Sequence, residues 1–75
     1  MTQAPPAELN GYPIISKHQL DAETWVICAW RREHPNHPFV VATWSIHSPN
    51  EWLHGSYHES LHAAATKFNS AIKGL

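Results

Sequence analysis

The chain has one cysteine, Cys28, in 75 residues, so no disulfide can form within it. A lone thiol between apolar neighbours, with no Lys, Arg or His close by in sequence, reads as an inert core residue in a reducing, cytoplasmic setting. Glycine is scarce as well. The three are scattered, which excludes a glycine-rich phosphate loop. Cationic charge is thin: five Lys and Arg oppose six Asp and Glu, and Arg31-Arg32 is the single basic doublet. That balance argues against a phosphate backbone as the main partner, because such affinity rests on many cations. No apolar run approaches the ~20 residues that cross a bilayer. Residues Met1 to Gly11 show neither a basic nor an apolar leader segment, so no signal peptide is expected.

What is abundant is hydrophobic and aromatic. Apolar residues make up 43% of the chain and include four tryptophans, a globular composition. Seven histidines are the other excess, and protonating all of them would move the formal net charge from −1 to +6.

Residues 1–11 read as a flexible lead-in, with Pro5-Pro6 blocking helix and Asn10-Gly11 supplying turn chemistry. Residues 12–75 read as one small domain. Ile14 to Leu20 is a weak strand candidate followed by a short turn at Asp21-Ala22-Glu23. Thr24 to Glu33 and Phe39 to His47 are strong strands, rich in β-branched and aromatic residues. The two prolines in His34-Pro35-Asn36-His37-Pro38 impose a loop between them. Ser48-Pro49-Asn50 is a turn, and Trp52 to Tyr57 is a short strand interrupted by Gly55. Leu61, Ala64, Ala65, Phe68, Ala71 and Ile72 then recur at helical spacing. Ser60 is the favoured cap, Ser56 with Glu59 an alternative capping box, and Gly74 the stop. The expected fold class is α+β: a small antiparallel three- to four-stranded meander, (β)βββα, with the C-terminal helix packed on one face.

Strand alternation leaves both faces of that sheet apolar. Val26, Cys28 and Trp30 face one way, and Trp25, Ile27 and Ala29 the other. Val40, Ala42, Trp44 and Ile46 share one face, and Phe39 and Val41 share the opposite one. One helix, ~10 Å wide, covers one face. The other must be covered by the N-terminal segment or by a partner, most simply an identical subunit. The expectation is a non-enzymatic protein-interaction module of adaptor or inhibitor type, homodimeric through the helix-free face or binding another protein there. The expected interaction face is Trp25, Ile27, Phe39, Val41 and Trp52. No cofactor is expected.

Two other chemistries are written into the chain. His58-Glu59-Ser60-Leu61-His62 spells H-E-x-x-H, in which two histidines one helical turn apart ligate zinc and the glutamate activates water. His54, His58 and His62 are the metal candidates. Three features weigh against a catalytic site: no further ligand type follows His62, the pentad straddles the expected helix start, and the chain is too short for a substrate cleft beside a core. The tryptophans together with Arg31 and Arg32 suggest stacking of nucleobases, single- or double-stranded, on an open sheet. Gly55-Ser56, Ala63-Ala64 and the His34-Pro35-Asn36-His37 loop, in that strand–helix order, loosely resemble the C-terminal part of a double-stranded RNA-binding domain. That family carries a helix before its strands, which residues 1–22 do not resemble. It also opens its last helix with lysines where this chain has Tyr57 and His58.

Overall fold

The computed structural model describes residues 4–73, within which lie five strands and one helix: β1 (Glu8–Leu9), β2 (Tyr12–Gln19), β3 (Thr24–Trp30), β4 (Phe39–Ser45), β5 (Leu53–His58) and α1 (Leu61–Lys73). The strands form one antiparallel sheet in sequence order, as short connections dictate. Asn10 and Gly11 close the first hairpin with φ of 54° and 83°. Both central residues of a type I′ turn must have positive φ, which selects Asn-Gly. In the next turn the Asp21 carboxylate accepts hydrogen bonds from the Glu23 and Thr24 backbone N–H groups at 2.8 and 2.9 Å.

The α+β class agrees with expectation, but the strand count is five, not three to four. The additional strand lies in the segment expected to be a lead-in. Glu8 and Leu9 pair with Pro13 and Tyr12, Leu9 is buried, and the Ile14 N–H donates to Ala7 O at 2.9 Å. The domain therefore draws on residues before 12. The weak strand candidate is an eight-residue strand, its register shifted between Ile14 and Ser16.

Cross-strand partners share a face, so register fixes both sides of the sheet. Trp25 pairs with Trp44, Ile27 with Ala42 and Ala29 with Val40, which defines the helix-free face. Val26, Cys28, Phe39 and Val41 belong to the opposite face, with α1. The helix-free face is not bare. Ile27, Ala29, Val40 and Trp44 are fully buried there, and Leu9, Tyr12, Ile14, Trp25, Ile46 and Trp52 pack around them. The reason is curvature. Tyr12 lies on β2 and Trp52 immediately precedes β5, three strand spacings away, or ~14 Å across a flat sheet. Their ring centroids are 6.3 Å apart. The sheet therefore curls into a half-barrel toward this face, and its margins close over its own centre. The Trp44 indole N–H donates to Pro49 O at 3.1 Å, fastening the β4–β5 loop there.

On the other face Ala64 is the buried helix residue, packed among Val26, Cys28 and Val41, with Phe68, Ala71 and Ile72 beside it. A methyl side chain at the crossing lets the helix approach closely. Ser60 Oγ accepts the Ala63 N–H at 3.1 Å, the expected N-cap bond. The alternative start at Ser56 fails because Ser56, Tyr57 and His58 belong to β5. The expected stop at Gly74 lies outside the described residues.

Candidate docking surface

Helix α1 lies over β3, β4 and β5 and leaves β2 uncovered on the same side of the sheet. Thirteen residues make a rod ~20 Å long and ~10 Å wide, too narrow for a five-stranded sheet. The uncovered strip becomes a groove of about 250 Å³. Cys28 and Phe68 lie deepest, Ile15 and Ser16 form the β2 wall, and Leu61, Ala65 and Asn69 form the helix wall. None of these side chains is charged. Ile15 is the extra residue at the β2 register shift, the kind of irregularity that re-aims a side chain.

Ile15, Trp30 and Leu61 are 44%, 40% and 55% exposed. Trp30 shares the helix-side face with Cys28 by alternation and pairs across the strands with Phe39. The Arg32 guanidinium lies 5.4 Å from the Trp30 ring centroid. The fourth exposed large apolar residue, Tyr57, pairs with Val40 on the opposite face. The Arg31 guanidinium covers its ring at 4.4 Å, and Arg31 Nη2 donates to His37 O at 3.1 Å.

The five residues expected to form one interaction face do not share one. Trp25, Ile27 and Trp52 lie on the helix-free side, and Ile27 is fully buried. Phe39 and Val41 lie under the helix, because Phe39 pairs with Trp30 and Val41 with Cys28. Alternation assigns two faces within each strand, but only register says which face of one strand joins which face of the next. The exposed apolar residues that sequence reasoning did not single out are Ile15, Trp30 and Leu61. Their one legible signal is the doublet Ile14-Ile15, which an unbroken strand would divide between its faces.

The other candidate sets are dispersed. His58 ends β5 with Nε2 2.7 Å from Ser56 Oγ, while His62 is exposed in the first turn of α1, so the H-E-x-x-H pentad does not occupy one helix. His54 sits in the β5 bulge with φ of 54°. Among the described residues, no three His, Cys, Asp or Glu side chains gather where they could hold a metal ion. Arg31 and Arg32 stack on rings of opposite faces, and Trp44 is fully buried while Trp25 and Trp52 are half-buried in the core. The tryptophans thus present no common stacking platform. Burial pushes the Cys28 thiol above its ordinary pKa, which disfavours the thiolate.

No protein-family model, curated protein or solved structure matches this chain. The loose likeness to a double-stranded RNA-binding domain gains no support either: residues 4–22 hold strands and turns where that family has a helix.

Proposed function

We propose that this chain is a small non-enzymatic interaction module that pairs with a second copy of itself through the groove between β2 and α1. The observation that carries the reading is that two large exposed apolar side chains, Ile15 and Leu61, line an uncharged groove, with exposed Trp30 on the same helix-side face of the sheet. Such a patch offers both projections and a recess, as a twofold contact requires, since each subunit presents the same surface. The groove lining itself carries no charge, and the Arg32 guanidinium over Trp30 is a cation beside it.

This places the contact on the helix side, because the helix-free face is filled by the chain itself. The expected strength is modest. Six half-exposed side chains, three from each copy, each gain roughly half of the ~1.5–3 kcal/mol of complete burial. Association costs several kcal/mol before any net affinity remains. A dimer with a Kd of about 0.2 mM or weaker follows.

Sedimentation velocity over a wide concentration range tests the reading. The wild-type chain should show a concentration-dependent dimer that Leu61→Ser and Ile15→Ser abolish. Tyr57→Ser, on the other face, should leave it intact. A monomer at every concentration removes the self-association reading, and a dimer indifferent to both groove substitutions overturns the assigned surface.

A further inference from the structure

A second cleft, of about 340 Å³, opens between the C-terminal half of α1 and the β4–β5 side of the sheet. It is separate from the groove proposed for self-association, and the inference drawn from it does not depend on that reading. Its floor is apolar: Leu20, Val26, Val41 and Ala71. Its polar lining is Lys67 and Ser70 from α1, Thr43 from β4 and His54 from the β5 bulge. The bulge itself shapes the site. His54 and Gly55 together face Ala42, because Val41 pairs with Ser56 and Thr43 with Leu53. A left-handed φ at a non-glycine residue is held only where its surroundings enforce it. At Gly55 a Cβ would lie 3.2 Å from the Trp52 indole nitrogen, so the bulge is tightly set against the core.

The charge pattern is one-sided. Lys67 and His54 line the cleft, and no Asp or Glu does. The nearest carboxylates in sequence to Leu20 are engaged elsewhere: Asp21 accepts backbone N–H groups of its own turn, and Glu23 lies 3.1 Å from His47 Nε2. Among the described residues, no carboxylate lies within ion-pair distance of Lys67. An apolar recess lined by a few polar groups and a cation is the layout of a small-molecule site. Its volume exceeds the ~150 Å³ that accommodates benzene.

We infer that this cleft binds small carboxylic acids with an apolar tail, the tail on Leu20, Val26, Val41 and Ala71 and the carboxylate at Lys67. Ser70, Thr43 and His54 line the same cleft and are available as further donors. The lysine ammonium supplies the charge-assisted bond that separates an acid from a neutral analogue.

The test is titration of the full chain with 4-phenylbutyrate and, in parallel, with 4-phenylbutanol, followed by amide and methyl NMR shifts. The acid should give saturable shifts at Leu20, Val26, Val41 and Ala71 at millimolar or lower concentration. The alcohol should bind about tenfold more weakly. Lys67→Gln, on the exposed face of α1, should weaken the acid about tenfold and leave the alcohol unchanged. Absence of saturable shifts, equal binding of acid and alcohol, or indifference to Lys67→Gln would each overturn the assignment. Shifts confined to Ile15, Cys28 and Leu61 would do the same, because they would place the ligand in the other groove.

Discussion

Replacing Leu9 by alanine tests whether the opening segment closes the helix-free face. Leu9 is 3% exposed and packs with Ile27, Ala29, Val40, Ala42 and Trp44. Truncating a buried leucine costs about 2–5 kcal/mol, depending on how far the site collapses. Leu9 belongs to a two-residue strand at the sheet margin, where the backbone can relax inward. The lower end, about 2 kcal/mol, is therefore expected. In a domain of this size that lowers Tm by about 8–16 °C. The assay is urea unfolding followed by tryptophan fluorescence, because Trp25, Trp44 and Trp52 all report on this core, with a thermal melt beside it. Glu8→Ala, one residue away and exposed, should change stability by less than about 0.5 kcal/mol. Leu9→Ala should also expose part of the core edge and gain, not lose, tendency to self-associate. A Leu9→Ala loss below about 0.5 kcal/mol would show that the segment does not seal the face.

Three further outcomes follow from local chemistry. Cys28 is 3% exposed and its thiol is pushed up by burial, so a thiol reagent at mildly alkaline pH should label native protein far more slowly than unfolded protein; equal rates would show that the groove opens to the sulfur. The Glu23 backbone N–H, opposed by desolvation and helped by Thr24, holds the Asp21 carboxyl below its ordinary value. A depressed carboxyl stabilises the fold above the unfolded value of about 3.9 and loses that contribution as pH falls through the native one. NMR titration should therefore place its midpoint below that value, and a midpoint at or above it would contradict the turn geometry. Ser60→Ala should cost about 1 kcal/mol and Ser60→Gly only a few tenths; circular dichroism melts separate these cases.

Much of the architecture is legible in the chain. β-branched and aromatic runs fix β3 and β4, and a 3.6-residue stripe fixes α1. The Pro-rich loop and the absence of crossover segments make the sheet antiparallel. Alternation even assigns the two faces of β3 and β4 correctly. β1 is illegible because two residues carry no periodicity, and Glu8-Leu9 becomes a strand only because Asn10-Gly11 turns it onto β2. The grouping of Phe39 and Val41 with Trp25 and Ile27 fails for a different reason. Register is a relation between strands, and no single strand contains it.

The sequence by itself determined the longer elements β2 to β5 and α1, their order and the fact that both faces of the sheet are apolar, since propensity and periodicity are properties of neighbouring residues. Only the tertiary structure decided how those faces are covered. Curling brings Tyr12 to Trp52 across three strands and buries one side within a single chain. The narrow helix leaves Ile15, Trp30 and Leu61 in water on the other. Curvature and helix placement depend on contacts among segments far apart in sequence, so which apolar side chains stay exposed is decided only once the whole sheet has closed.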